Sequence, residues 1–206
     1  MPPETELRVV LGSATPPGRL RRALEGAVGR AVERGSGAEL LDLAEWRVSL
    51  ADGRDPAELE DDTGAVVDAV AAAGALVFAT PVYRGSMTGV LKNLFDLVPV
   101  PALQGKVVGL VAMGASDHHF LGAERHLRDV LSFFGAVAMP VAVYLTNRDF
   151  EDGEPTAPAA ATLDELLAAT AATAAALSGT EIALPAPLAA RSIRPAAARA
   201  GAGQGR

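Results

Sequence analysis

The sequence predicts an α/β domain: a doubly wound, five-stranded parallel sheet with helices on both faces. Three observations carry that expectation. Short apolar runs alternate five times with longer segments of helical periodicity. Most of the longer segments open on capping residues or close on glycine, so their ends are marked. Half of the residues are hydrophobic, and much of that fraction is alanine, which lets helices lie close on a sheet. Alternation of this kind buries a parallel sheet between two layers of helices.

The elements follow in order. "LRVVLG" (7–12) is an apolar run ending on Gly and reads as a buried strand. Residues 18–35 place Leu20, Leu24, Ala27, Val28, Ala31 and Val32 at helical spacing, with arginines outward and Gly35 as the stop. "AELLDLAEW" (38–46) suits a second strand, and the polar, turn-rich 49–62 a loop. A second helix fits 61–74, and "ALVFAT" (75–80) is too short for anything but a third strand. Residues 86–98 repeat apolar side chains with helical period, with Ser86 as the expected cap. "KVVGLVAMG" (106–114) is a fourth strand, 120–136 a helix stopped near Gly135, and "VAMPVAVYL" (137–145) a fifth strand. Thr162 and Glu165 form a T-x-x-E pattern that places the start of the last helix, 162–177. Right-handed crossovers leave few topologies, and five strands suit the flavodoxin-like order, in which ligands sit beyond the carboxyl ends of the strands. Residues 1–182 are expected to form this one domain. Residues 183–206, rich in Pro, Ala and Gly with four arginines and no acid, are expected to form a disordered tail.

Composition narrows the function. A net charge of −7 argues against the broad basic face that nucleic acid requires. With no cysteine there is no disulfide, thiol nucleophile or thiolate metal site. The N-terminus carries acids and prolines where a signal peptide needs a basic start and an apolar run. No stretch reaches the ~18 uninterrupted apolar residues of a membrane span. A soluble, cytoplasmic protein is expected, with no nucleic acid and no membrane among its partners.

The informative residues should follow the first, third and fourth strands. "GSATPPGRL" (12–20) is neither a dinucleotide fingerprint nor a P-loop. It does place Ser13, Thr15, Gly18 and Arg19 at the mouth of a helix, where free amides, the dipole and added donors favour a phosphate. An ordinary strand–helix turn with an exposed Arg fits the same residues. In "TPVYRGS" (80–86), Pro81 ends the strand, Val82 and Tyr83 follow, and Arg84 and Gly85 make a corner that lets backbone approach a ligand closely. Amides in such a turn suit the edge of a planar heterocycle; a tight βα loop with a packed Tyr is the other reading, weakened by the anion site on the adjacent strand. After the fourth strand, Gly114, Ala115 and Ser116 form a small-residue turn on the same crevice.

Other candidates carry less. Adjacent His118 and His119 point apart and complete no metal-binding pattern, and no acid–base or nucleophile constellation stands out. Asp96, Asp117, Glu124 and Asp129 read as solvated or paired, Trp46 as core or interface, and Lys92 and Asn93 as a solvated helix face, with the site interior or a subunit contact as the other readings.

Taken together, the run "TPVYRGSMTGVLKNLFDLVPVPALQGKVVGLVAMG" (80–114) resembles the NADPH-dependent FMN reductase family, of flavodoxin-like fold. It is similar to that family's P-x-Y segment, followed by L-K-x-x-x-D and L-x-G-K-x-V. "GSATPPGR" stands in the place of its G-S-x-R-x-x-S loop. The nearest branch is the one supplying reduced flavin to sulfonate monooxygenases, and the similarity covers about residues 7–145. The resemblance implies that Ser13, Thr15 and Arg19 hold the FMN phosphate. Pro81 to Gly85 would border the ring or ribityl chain, and Gly114, Ala115 and Ser116 would flank the ring. It further implies hydride transfer from NADPH or NADH to FMN, a homodimer or homotetramer, and a monooxygenase, quinone or azo acceptor downstream. Thr15 and Gly18 depart from the usual Arg and Ser, which thins the phosphate grip. Arg125 stands where some members carry a stacking Tyr. A non-catalytic FMN-binding carrier or sensor, or a phosphate-binding module, is the alternative.

Overall fold

The computed structural model of the chain describes residues 7–14, 17–117 and 120–179. Thr15, His118, His119 and the 183–206 segment read as a tail lie outside the described residues.

The chain runs β1 (Leu7–Leu11), α1 (Arg19–Glu33), β2 (Ala38–Asp42), α2 (Thr63–Ala72), β3 (Ala75–Pro81), α3 (Gly89–Leu97), β4 (Val107–Met113), α4 (Phe120–Phe134), β5 (Val137–Ala138), β6 (Val143–Leu145), a two-strand ribbon of β7 (Phe150–Glu151) and β8 (Glu154–Pro155), and α5 (Ala157–Leu177). The main sheet has the order β2-β1-β3-β4-β5, with β6 also on β4. All its pairings are parallel, and the register sets Leu11 beside Asp42 and Ala79, and Pro81 beside Met113. The carboxyl ends of four strands therefore share one rim.

Two layers cover the sheet. Phe78 and Leu110 pack with Leu91 and Leu94 of α3 and Leu127 and Leu131 of α4 on one face. Val9, Val77 and Val111 pack with Leu20 and Leu24 of α1 and Leu163 and Leu167 of α5 on the other. Burial of each such side chain is worth about 1.5–3 kcal/mol. Arg30 forks onto Asp164 with bonds of 2.8–3.1 Å, and Arg34 reaches the same carboxylate at 2.8 Å, locking α1 to α5. By length and composition α5 is apolar enough to cross a membrane, but its stripe of Leu163, Leu166, Leu167 and Thr170 is buried inside this domain.

Several boundaries differ from the sequence expectation. β2 stops at Asp42 because its carboxylate accepts from Ala44 N–H and starts a 3₁₀ turn over Leu43–Glu45. Ser86 does not cap α3; the helix begins at Gly89 with the Thr88 hydroxyl accepting from Leu91 N–H at 3.2 Å. The fifth strand is split, β5 and β6 flanking Pro140, which has no N–H to give a ladder. α5 begins five residues early, at Ala157, because Pro158 sits in its first turn, where a missing N–H costs nothing. Thr162 lies inside that helix and donates to Pro158 O at 2.9 Å, so the T-x-x-E pattern caps nothing.

Candidate functional site

After β1 the chain turns sharply. Gly12 N–H donates to Ala79 O at 2.8 Å, carrying the sheet one residue further, and Ser13 is buried beneath the turn. Gly18 is the N-cap of α1 and has no side chain to spend on the helix, so among the described residues no side chain caps the first turn. Arg19 stands at their edge. Its Nη2 donates to Asn147 Oδ1 at 2.8 Å, and its guanidinium lies 5.3 Å from the centre of the Phe150 ring. Among the described residues it pairs with no carboxylate, so its charge remains available. Arg21 is different: Glu25 at 2.7 Å, Asp42 at 3.0 Å and Glu45 at 2.6 Å consume it.

Ser13, Gly18, Arg19 and Pro81 line one cavity of about 270 Å³, with Asp42 and Met113 on its walls. Burial pushes the Asp42 carboxyl up, against the Ala44 N–H and the Arg21 charge, which favour its ionised form. An anion entering the cavity therefore meets the start of α1 and, among the described residues, one guanidinium without a carboxylate partner, with a buried carboxylate behind them.

The corner after β3 is a tight hairpin. Tyr83 N–H donates to Ser86 O at 2.9 Å and Ser86 N–H returns to Tyr83 O at 3.1 Å. Arg84 and Gly85 take φ of 54° and 76°, the left-handed pair of a type I′ turn. Gly suits that region; an Arg there is uncommon. Val82 N–H goes to Met113 O at 2.8 Å. The amides of Val82, Tyr83 and Ser86 are thus used within the chain, and those of Arg84 and Gly85 stand at the tip with no backbone partner among the described residues. α4 backs this turn: Gly122 lies so near that a Cβ on it would stand 2.6 Å from Gly85 O, and His126 Nδ1 shares a 2.8 Å hydrogen bond with Ser86 Oγ.

Beyond β4, Gly114 N–H donates to Leu145 O at 2.9 Å, and the turn through Ala115 and Ser116 wraps the Tyr144 phenol, whose hydroxyl donates to Ser116 O at 2.8 Å. Tyr83 is not on the first cavity. Its exposed ring instead lines a neighbouring apolar groove of about 540 Å³, with Ala14, Trp46, Leu50 and Val90. Asn93 supports that groove, giving both ends of its amide to the backbone of Ser49 and Ala51. Lys92 pairs with Asp96 on the exposed face of α3. Among the described residues, no group of three or more His, Asp or Glu is placed to hold a metal ion.

Sequence reasoning missed Thr88, Asp42, Tyr144, Asn147 and Phe150. Thr88 lies within the 80–114 run but at none of its motif positions, the sequence reading sets Asp42 inside a longer strand, and Tyr144, Asn147 and Phe150 stand in no motif.

Three loops at adjoining strand ends, with no side chain capping the helix at the first and a left-handed turn at the second, make a candidate ligand site on a flavodoxin-like fold. The chain belongs to the NADPH-dependent FMN reductase family, whose sequence model matches residues 5–151. It is 41% identical over 114 residues to an NAD(P)H-dependent FAD/FMN reductase of Geobacillus thermodenitrificans, covering 55% of this chain and 62% of that protein. It is 42% identical over 115 residues to an FMN reductase (NADPH) of Pseudomonas aeruginosa, covering 55% and 60%. The chain thus spans about three-fifths of the length of these two relatives. With an NADH-dependent FMN reductase SfnF of Pseudomonas putida it shares 33% identity over 156 residues, 73% of this chain and 82% of that one. Among solved structures it superposes on the apo form of an NADH:FMN oxidoreductase (EMOB) with a TM-score of 0.66 at 24% identity, over 81% and 88% of the two chains. An archaeal flavodoxin superposes at 0.58 and 11% identity, over 82% and 98%, a likeness of fold alone.

Proposed function

We propose that the chain is an NAD(P)H-dependent FMN reductase, with the phosphate end of FMN at the α1 mouth and its ring along the 82–85 and 114–116 turns. The observation that carries this reading is the shared cavity of Ser13, Gly18, Arg19 and Pro81, where an uncapped helix start and an unneutralised guanidinium meet at the rim of the sheet. FMN, when bound, supplies the two-electron chemistry that takes reducing equivalents from a nicotinamide.

The chain's own residues then have defined tasks. The first-turn amides of α1 and the Ser13 hydroxyl bind phosphate oxygens, Thr15 belongs to the same loop by sequence, and Arg19 adds the charge. The Arg84 and Gly85 amides orient the edge of the ring, and the 114–116 turn bounds its other side. The Arg84 side chain stands at the turn tip, where it can meet the phosphates of a nicotinamide nucleotide. No side-chain acid or base is needed, since positioning does the work.

Reduced flavin passed to a monooxygenase partner, or a quinone or azo acceptor, is the outlet we assign. The cytoplasm, where nicotinamide donors are abundant, is the place we assign. We also assign a homodimer or homotetramer built on the α3 and α4 faces, where Val90 is half-buried and Phe133 exposed. FMN titration of the purified chain, followed by NADPH and NADH consumption, tests the activity. A protein that binds FMN but consumes neither donor with FMN, quinone or azo acceptors is a carrier, and one that binds no FMN overturns the reading. Sedimentation showing monomers alone removes the assembly.

A further inference from the structure

A fourth segment, residues 144–150, holds the site from the side of β6. At its start, Tyr144 donates to Ser116 O at 2.8 Å, and Gly114 N–H donates to Leu145 O at 2.9 Å. A Cβ on Gly114 would overlap the Tyr144 hydroxyl, so the turn is folded around the phenol. At its end, Asn147 Oδ1 accepts from Arg19 and the Phe150 ring lies under the same guanidinium, at 5.3 Å. A capping box joins the two ends: Asp149 Oδ2 accepts from Thr146 N–H at 2.7 Å and Thr146 Oγ1 at 3.0 Å, and Thr146 Oγ1 accepts from Arg148 N–H at 3.3 Å.

The chemistry of the contacts is selective. Asn147 is neutral, so it aims Arg19 without competing for its charge, as a carboxylate would. Phe150 is buried and gives the guanidinium a flat floor. An arginine already fixed in place loses less rotamer entropy when an anion arrives. Burial, together with the charge of Asp117, pushes the Tyr144 phenol up, so it stays protonated and remains a donor.

We propose that residues 144–150 form one brace setting both ends of the FMN site, Tyr144 shaping the 114–116 turn and Asn147 with Phe150 aiming Arg19 at the phosphate. All three are positioning residues, and the inference rests on the FMN reading above. Riboflavin carries the same ring without the phosphate, so it separates the two ends.

The test titrates wild type, Asn147→Ala, Phe150→Leu and Tyr144→Phe with FMN and with riboflavin, each variant first checked for its melting temperature. Asn147 is exposed, so its truncation is expected to leave the fold intact even if Phe150→Leu does not. Asn147→Ala and Phe150→Leu should weaken FMN by about five- to tenfold and leave riboflavin within about twofold, the scale of one freed side chain. Tyr144→Phe should weaken both ligands by the same factor. Equal loss of both ligands in Asn147→Ala, or no loss of FMN, overturns the phosphate arm; unchanged ligands in Tyr144→Phe overturn the ring arm. Wild type that binds FMN while all three variants match it overturns the brace alone, and wild type that binds no FMN overturns the FMN reading and the brace together.

Discussion

The hydroxyl of Thr88 donates to the carbonyl of Gly12 at 2.6 Å while accepting from Leu91 N–H at 3.2 Å. Thr88 N–H in turn donates to Thr80 Oγ1 at 3.1 Å. One buried side chain therefore caps α3 and ties the loop after β1 to the end of β3, the two loops that the proposed site assigns to one ligand.

Thr88→Val keeps the shape and removes the hydroxyl. It leaves Gly12 O without its donor and α3 without a cap, and should cost about 1–3 kcal/mol in urea unfolding. Thr88→Ser should recover most of it. A valine variant as stable as wild type would show that the tie carries no weight.

Gly122→Ala sets a helix propensity against a contact. Alanine in a helix is worth up to about 1 kcal/mol over glycine. Its Cβ, however, would stand 2.6 Å from Gly85 O, and backbone on both sides has little room to give. The 83–86 turn should shift and FMN binding should fall about tenfold or more, a loss of at least ~1.4 kcal/mol, with circular dichroism unchanged. A more stable variant with wild-type affinity would contradict this.

Asp42→Asn removes the one carboxylate on the phosphate cavity wall while an amide oxygen can still accept from Ala44 N–H. Arg21 keeps Glu25 and Glu45 as partners. FMN should bind roughly five- to tenfold more tightly, the scale of one like charge removed at close range, and riboflavin should not change. Weaker FMN binding would mean that Asp42 supports the site by holding Arg21.

Asp61 sets a pH dependence. Hydrogen bonds from the Ser49 hydroxyl at 2.6 Å and from Thr63 hold its carboxyl down to about 2. A depressed pKa contributes stability above the ordinary carboxylate value near ~4 and loses it as pH falls through the folded value. Melting temperatures of wild type and Asp61→Asn should differ at neutral pH and converge as pH is lowered from about 4 to 2. A constant gap across that window would refute the assignment.

Much of the fold was legible because its signals are local. β1, β3 and β4 are covered on both faces, so each reads as a mainly apolar run, broken in β1 only by Arg8, and handedness leaves few orders for them. Where signals were weak or competed, the boundaries moved. Residues 157–161 are nearly all alanine and offer no contrast between faces, so a capping pattern inside α5 looked like its start. Pro140 looked tolerable within a strand until the ladder required an N–H there.

The same division runs through the site. Residue type and position along the chain determined that Pro81 ends a strand and that Ser13, Gly18, Arg19 and Gly85 follow strands, because turns, helix mouths and left-handed corners are specified by a few neighbouring residues. Which distant groups hold those loops was decided only by tertiary structure. Thr88 meets Gly12 across 76 residues, Tyr144 meets Ser116 across 28, and Asn147 meets Arg19 across 128. A hydrogen bond is set by a few ångströms of space, and separations along the chain carry no record of that distance until the sheet brings its ends to one rim.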